Sequence, residues 1–283
     1  MGENEQEVSA EQALRVLNEQ GYVLWKAPMA SRGVEMVDMS RFKGKKVRVG
    51  IVSDTHLGSQ HQQLTYLRAM YRYFSRRKVN VVLHAGDLVD GEGIYYGHRY
   101  ELFVIGADAQ IEYAVNNYPH YKGITTYLIS GNHDAVFQKR AGIDVVATIC
   151  RQREDMVYLG YGGADVDIGG VRFYLMHADG GVPYARSYRT QKIIEQLPGG
   201  SKPHVLIIGH LHVTDILPNY RNVLGILAGC FQSQTPYLRR KGLAPDVGGY
   251  LLEFETSDVD TPSGSVGFKI EWRPFMVPKD KDY

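Results

Sequence analysis

From Val47 onwards, short apolar runs alternate with longer stretches whose apolar residues recur every three or four positions. The runs 47–54 (VRVGIVSD), 79–87 (VNVVLHAGD) and 124–134 (ITTYLISGNHD) predict buried strands. The intervening segments predict helices, and they cover residues 62–78, 101–118 and 142–153. Strands that alternate with helices in this way indicate strand–helix–strand units of an α/β protein.

The second half of the chain is richer in strand-like runs. Residues 171–177, 204–212, 249–255 and 267–277 read as strands, with one helical stretch at 186–197. We therefore expect a layered α/β sandwich, in which two mixed β-sheets are flanked by helices, rather than a purely parallel doubly wound sheet.

Residues 1–46 differ in pattern from the rest and are expected to form an N-terminal extension outside a main domain at 47–283. One short helix is predicted there, because Ala13, Leu14, Val16 and Leu17 fall on one helical stripe. A remnant of a winged helix and simple packing against the domain both remain open, since a lone helix is not a helix-turn-helix.

Composition narrows the classes of protein to which this chain can belong. Lys and Arg total 32 against 31 for Asp and Glu, so no chain-wide positive charge attracts polyanions, and any contact with nucleic acid must be local. Cys150 and Cys230 are too few for a disulfide framework and lack metal-knuckle spacing. The sequence shows neither an apolar leader nor a run long enough to span a bilayer, so we expect a cytoplasmic protein without a membrane partner.

Polar residues with metal-binding chemistry follow five of the strand-like runs. They are Asp54 and His56 in SDTH, Asp87 in GD, Asn132, His133 and Asp134 in GNHD, His177 in MH, and His210 and His212 in GHLH. Loops at the carboxyl ends of strands build the sites of α/β folds, so these residues can converge. Carboxylate, imidazole and amide oxygen suit divalent metals, and the lack of thiolates argues against a structural zinc cage.

The ordered set resembles the calcineurin-like metallophosphoesterase family, whose motifs run Asp-x-His, Gly-Asp, Gly-Asn-His-Asp or Glu, a lone His and Gly-His-x-His. The resemblance implies two divalent metal ions, manganese first, with iron, zinc or nickel as alternatives. It assigns Asp54, His56 and His212 to one ion, Asn132, His177 and His210 to the other, and Asp87 to both. It also implies that His133 faces the substrate as a catalytic acid, and we expect Asp134 to orient it.

The stretch at 86–102 is similar to the nuclease branch of that family, represented by the exonuclease subunit of archaeal D-family polymerases. This favours a phosphodiesterase acting on DNA or RNA, with Tyr95, Tyr96, Arg99, Arg239 and Arg240 as candidate substrate contacts. A small-molecule or cyclic-nucleotide phosphodiesterase is the alternative, followed by a phosphomonoesterase and a catalytically silent scaffold. The chain has glycine at position 91, where protein phosphatases of the family carry an arginine for dianionic phosphate, which favours diesters. The sequence leaves a homo-oligomer open, and we expect His61 and His84 to be structural.

Overall fold

Two six-stranded sheets carry the fold in the part of the chain that the computed structural model describes, residues 34–39, 42, 46–198, 202–255 and 266–283. These residues belong to one unit, Ser31–Tyr283. The strands are, in chain order, β1 (Glu35–Met36), β2 (Lys46–Val52), β3 (Val81–His84), β4 (Thr125–Ser130), β5 (Met156–Tyr161), β6 (Gly163–Ile168), β7 (Val171–His177), β8 (Val205–Gly209), β9 (Thr214–Tyr220), β10 (Val223–Ala228), β11 (Gly248–Glu255) and β12 (Lys269–Pro274). The helices are α1 (Leu64–Arg76), α2 (Ala107–Asn117), α3 (Ala135–Ala141), α4 (Val145–Gln152), α5 (Arg186–Gln196) and α6 (Pro236–Arg240), with a 3₁₀ turn at His98–Glu101.

Both sheets are mixed, which confirms the predicted fold class. The first sheet has the order β12-β11-β2-β3-β4-β5, in which β2 to β5 are parallel and β11 and β12 are antiparallel additions at one edge. The second has the order β1-β6-β7-β8-β10-β9, with β7, β8 and β10 parallel at its centre. The parallel centres bring several strand ends to one edge of each sheet.

Alternation along the strands sorts the side chains into three apolar layers. Val49 and Ile51 of β2 face the second sheet and pack with residues such as Phe173 and Ile207, whereas Val52 packs with the helices outside the first sheet. The outer layer includes Leu67 of α1, and α5 covers the other sheet through a smaller cluster. Since most of these side chains are fully buried, the two sheets hold the strand ends in fixed positions.

The observed elements extend the sequence prediction at several points. The helix predicted at 101–118 begins only at Ala107, because a 3₁₀ turn and a loop precede it. Strands β5, β6, β9 and β10 and helices α3 and α6 were not predicted. Most of the predicted extension at 1–46, including its helix, lies outside the described residues, while Glu35–Met36 pairs with β6, so the division at residue 46 stays a prediction. No helix in the described ranges has the length and apolar character needed to cross a membrane.

Candidate metal centre

The candidate ligands converge at the carboxyl ends of five parallel strands. Residues 54 and 56 follow β2, residue 87 follows β3, residue 132 follows β4, residue 177 ends β7, and residues 210 and 212 follow β8. The register places Val52 opposite His84 and His177 opposite Gly209, so neighbouring strands end at the same level. The two sheets thus present their ends to one common point between them.

The first cluster consists of Asp54, His56 and His212. The Nε2 atoms of the two histidines lie 3.0 Å apart. Asp54 Oδ1 is 3.2 Å from Nε2 of His212 and 3.8 Å from Nε2 of His56. Two ring nitrogens and a carboxylate oxygen therefore face one small volume, as three ligands of one ion do.

The second cluster consists of Asn132, His177 and His210. The amide oxygen of Asn132 lies 3.1 Å from His177 Nε2 and 2.9 Å from His210 Nδ1. Asp87 lies between the two clusters, with Oδ2 3.1 Å from His177 Nε2 and 3.8 Å from His56 Nε2. This position suits a carboxylate that bridges two ions.

The outward ring nitrogens decide whether these histidines fit a metal. His56 Nδ1 lies 2.8 Å from the Asp90 carboxylate, and His177 Nδ1 lies 2.8 Å from the Ala85 carbonyl oxygen. His210 uses its Nε2 in the same way, 3.0 Å from the Gly180 carbonyl oxygen. Because an oxygen acceptor fixes the proton on each of these three outward nitrogens, the inward nitrogen keeps its lone pair for a cation. Nδ1 of His212 is buried and has no hydrogen-bond partner among the described residues. The residues present therefore fit two divalent ions.

Electrostatic effects favour ionised carboxylates at the centre. Burial alone would raise the pKa of Asp54, but His212 and His56 hold it well below its usual range. Burial alone would lower the pKa of His177, but the neighbouring Asp87 carboxylate raises it to about 9. The buried carboxylates thus stabilise positive charge at the centre, and bound divalent ions would supply that charge in place of the imidazole protons.

Five of the candidate ligands have a strained backbone conformation. Asp54, His56, Asp87, His210 and His212 all have positive φ, between 45° and 80°. Non-glycine residues in this region cost on the order of 1–3 kcal/mol each, and such strain gathers at functional sites. The surrounding sheets hold these residues in conformations that aim their side chains inwards.

A glycine in the GNHD motif makes room for the ligands. A Cβ atom on Gly131 would lie 2.2 Å from Asp87 Oδ1 and 2.6 Å from His177 Nε2. Any side chain at this position would displace both ligands. The glycine is thus required by close packing inside the centre.

His133 is held by Asp90 and not by Asp134. Its Nδ1 donates to the Asp90 carbonyl oxygen at 2.6 Å and lies 3.4 Å from the Asp90 carboxylate. The Asp134 carboxylate instead accepts backbone N–H groups from Leu88, Val89 and Gly131. The prediction that Asp134 orients His133 is therefore wrong, because Asp134 turns towards the backbone of the neighbouring loops and ties those loops together.

Asp90 is the functional residue that the sequence interpretation missed. Its buried carboxylate joins His56 to His133 and also contacts His98 Nε2 and Gln232 Nε2, each at 3.3 Å. A signal was present, since Asp90 repeats the acid of the GD motif three positions later in GDLVDG. Gln232 contacts Asp90 from a loop that is distant in sequence, whereas His98 lies only eight residues away, and no motif predicted either contact.

The two histidines expected to be structural take no part in the clusters. His84 is fully buried, lies 3.2 Å from Thr55 Oγ1 and accepts the Gly86 N–H, and burial lowers its pKa to about 4. The carbonyl oxygen of His61 accepts the Ser233 N–H. Both observations agree with packing roles.

A cleft of about 230 Å³ opens onto the two clusters. Tyr95 and Tyr237 form one wall, with ring centroids 4.4 Å apart and nearly parallel planes. The Tyr95 hydroxyl donates to Glu101 at 2.6 Å, which fixes the ring. Among the described residues, no Lys or Arg lines this cleft.

Four predicted substrate contacts lie outside the cleft lining. Tyr96 is 98% exposed, and Arg99 forms an ion pair with Glu92 at 3.4 Å. Arg239 and Arg240 end the short helix α6, whose other residues Tyr237 and Leu238 do line the cleft. The structure therefore brings Tyr95 to the centre, and it leaves the predicted arginines at the surface.

Comparison with known proteins places this geometry in a family. The model for the calcineurin-like phosphoesterases matches residues 47–229. DNA polymerase II small subunits from Halobacterium salinarum and Methanothermobacter thermautotrophicus are 23% and 26% identical over 253 and 249 residues, and the alignments cover 76% and 71% of this chain. The chain spans about half the length of these curated relatives, 50% in both cases.

Solved structures of low sequence identity resemble parts of this chain. A phosphoesterase of E. coli, Yfce, is 16% identical with a TM-score of 0.40, covering 79% of this chain and 98% of that one. Zinc-bound Vps29 from Entamoeba histolytica is 14% identical with a TM-score of 0.40, covering 80% and 99%. Because the family model matches more than half of the sequence and spans every candidate ligand, the chain belongs to the calcineurin-like phosphoesterase family.

Proposed function

We propose that this protein is a metal-dependent phosphodiesterase that acts on nucleic acid. The observation that carries the proposal is the set of imidazole, carboxylate and amide groups at the strand ends, with the outward nitrogens of three histidines fixed by oxygen acceptors. Such a set has the composition and hydrogen bonding of a two-metal hydrolytic site.

The ligands divide between two ions with one carboxylate shared. Asp54, His56 and His212 would hold one ion, Asn132, His177 and His210 the other, and Asp87 both. Bound divalent ions supply Lewis acidity towards the phosphoryl oxygens and activate a water molecule.

His133 supplies proton chemistry from beside the metal ligands. Its Nδ1 is committed to Asp90, so Nε2 is the nitrogen that remains for the substrate. As an imidazolium it would donate a proton to the departing oxygen, and general acid catalysis of this kind contributes about 10²–10⁴-fold. Asp90 positions the ring and stabilises the positive charge on it.

The local structure around Gly91 favours diesters over monoesters. Gly91 exchanges two hydrogen bonds with Gln110, at 3.0 and 2.9 Å, and a Cβ atom there would lie 2.3 Å from the His133 carbonyl oxygen. An arginine at this position is therefore incompatible with the observed loop. A phosphodiester carries one negative charge, so its binding depends less on a cationic side chain than the binding of a dianionic monoester does.

Two observations support nucleic acid as the source of the diester. The Tyr95–Tyr237 wall offers a flat aromatic surface beside the metal ligands, and stacking on such surfaces contributes about 1–3 kcal/mol per base. The curated relatives are DNA polymerase II small subunits. As part of the same proposal, this protein binds protein partners, as a polymerase subunit does.

The test compares substrate classes under one set of conditions. The manganese-loaded protein is assayed with bis-p-nitrophenyl phosphate, p-nitrophenyl phosphate and labelled single- and double-stranded oligonucleotides, and Asp87→Ala serves as the inactive control. After correction for intrinsic reactivity, kcat/KM should favour the diester, and the oligonucleotides should be cleaved. A corrected preference for the monoester would contradict the diesterase assignment.

A small-molecule phosphodiesterase is the second candidate, and the size of the cleft favours it. About 230 Å³ is below the roughly 300–1,000 Å³ of typical ligand pockets, so the cleft has room for a compact substrate rather than an extended one. The same assay with 3′,5′- and 2′,3′-cyclic nucleotides separates the candidates. Faster hydrolysis of cyclic nucleotides than of any oligonucleotide would favour this alternative.

A further inference from the structure

A second groove adjoins the metal cleft on the face of the sheet that α5 covers. It has a volume of about 540 Å³ and is lined by Tyr174, Met176, Tyr188, Arg189, Lys192 and Ile193, among others. We call it the α5 groove. Gly181 lines both the α5 groove and the metal cleft, so the two are adjacent at that residue.

Arg189 is the cation at the junction. Its Nη1 lies 2.9 Å from the position of a Cβ atom on Gly180, so the guanidinium packs directly on this glycine. The Gly180 carbonyl oxygen in turn lies 3.0 Å from Nε2 of the candidate ligand His210. No ion pair involves Arg189 within the described parts of the chain. Its charge is therefore available to an anionic group next to the centre.

The positive charge of Lys192, the second cation of the α5 groove, is partly neutralised by an acidic neighbour. Lys192 pairs with Glu195 at 2.9 Å, and its Nζ lies 5.9 Å from the centre of the Tyr188 ring. Glu195 also accepts a hydrogen bond from the Tyr220 hydroxyl at 2.7 Å. Because Glu195 is occupied by two partners, the net charge along the groove comes from Arg189.

Aromatic and apolar groups complete the groove. Tyr188 is 54% exposed, and Tyr174 also lines the groove. Met176 and Ile193 add apolar surface. Flat apolar groups beside a free cation match the chemistry of a single-stranded nucleic acid, whose bases stack while its phosphates need a positive charge. An apolar peptide would use the same surface but would leave Arg189 without a partner.

We propose that the α5 groove binds the strand that continues from the scissile phosphodiester, with Arg189 contacting a phosphate and Tyr188 stacking on a base. This inference rests on the proposed function, because the strand enters the groove from the metal cleft. The substrate class is then single-stranded DNA or RNA, extending several nucleotides beyond the cleavage point. This arrangement gives a protein of nearly neutral net charge the local site that nucleic-acid binding requires.

The experiment measures how the affinity for a single strand depends on the length of that strand. Fluorescence anisotropy is recorded with the full manganese-loaded chain and phosphorothioate oligothymidylates of about 3 and about 12 nucleotides, lengths that bracket a short binding site. The variants are Arg189→Ala and Tyr188→Ala. The matched control is Arg151→Ala, because Arg151 is an exposed arginine on α4, which packs against the other sheet. Urea unfolding of each variant verifies that the fold is intact.

The original protein should bind the longer strand at least about tenfold more tightly than the shorter one, and both variants should lose most of this gain. In Arg189→Ala the slope of log Kd against log salt should also fall by about 0.7, the value for one phosphate contact of a single strand. Equal binding of the longer strand by the original protein and both folded variants would overturn the inference, as would a similar loss in Arg151→Ala.

The two proposals fail in different ways. Absence of hydrolysis of any diester by the original protein refutes the proposed function, whatever the anisotropy gives. Cleavage of oligonucleotides together with unchanged binding in both variants refutes the α5 groove proposal alone.

Discussion

Replacement of Asp90 by asparagine tests the hydrogen bonds that surround the centre. The carboxylate is 1% exposed and accepts from His56 at 2.8 Å and from His98 and Gln232 at 3.3 Å, with His133 at 3.4 Å. Burial alone would raise the pKa of Asp90, but the hydrogen bonds from His133, His56 and His98 hold it well below its usual range. The residue is therefore a fixed negative charge shared by several donors.

Asparagine keeps the volume of the side chain but has one acceptor oxygen and no charge. At least one buried donor then loses its partner, which costs about 1–3 kcal/mol in the free energy of unfolding. Loss of a hydrogen bond behind a metal-ligating histidine typically costs about 10–100-fold in metal affinity or activity. We therefore expect Asp90→Asn to lower kcat/KM by about 10–100-fold and to reduce manganese affinity through His56.

A double-mutant cycle with His133→Ala separates the two routes. The kcat of the wild type, both single variants and the double variant is measured at saturating manganese, together with urea unfolding. If Asp90 acts largely through His133, the two losses should be strongly non-additive, because removal of one partner makes the other ineffective. Fully additive losses, or an Asp90→Asn variant within twofold of wild type, would refute the assignment.

Asp134→Asn is the matched control. Asp134 is equally buried, but its partners are backbone N–H groups, and burial together with the neighbouring Asp87 raises its pKa to about 7. Replacement by a neutral amide therefore changes the charge at Asp134 less than it changes the charge at Asp90. We expect Asp134→Asn to reduce the free energy of unfolding by about 1–3 kcal/mol while kcat of the folded enzyme stays near wild type.

Three further variants probe the centre and the core. Asp87→Ala should lose activity and at least one bound ion, because it removes the shared carboxylate; full metal occupancy by elemental analysis would contradict this. Gly131→Ala should lower kcat/KM at least about tenfold, since its methyl group would displace Asp87 and His177, and steady-state kinetics check it. Tyr71→Phe removes a buried hydroxyl bonded to two others and should cost about 1–3 kcal/mol in urea unfolding, whereas Tyr184→Phe at the surface should change it by less than about 0.5 kcal/mol.

The sequence predicted most of the elements that have a simple apolar pattern, although it missed β10, which is fully buried. Buried strands such as β2 and β4 and the amphipathic helix α1 have simple patterns, because one face or the whole element is apolar. Strand β9 was not predicted, since it lies at a sheet edge with most residues partly exposed, and β5 and β6 carry mixed polar patterns. Helix α6 spans only five residues, too few for a periodic signal.

The candidate ligands were predictable because they follow strands whose ends must meet. The contacts of Asp90, Gln232 and Arg189 were not predictable, because they depend on which segments of the chain lie beside one another. Asp134 was misassigned for the same reason: adjacency to His133 in the sequence does not place the two side chains together at the start of α3. Sequence spacing identified residues that converge in the structure as candidate ligands, while the structure showed which groups contact them.

Metal-dependent cleavage of a single-stranded oligonucleotide tests the central claim most directly. The wild-type chain and Asp87→Ala are incubated with an internally labelled strand over a manganese titration, and products are resolved by length. We predict that product formation rises with manganese in the wild type, is abolished by chelation and is absent in Asp87→Ala. A wild-type protein that binds two ions yet releases no more product than Asp87→Ala at any manganese concentration would contradict the claim and favour a catalytically silent scaffold.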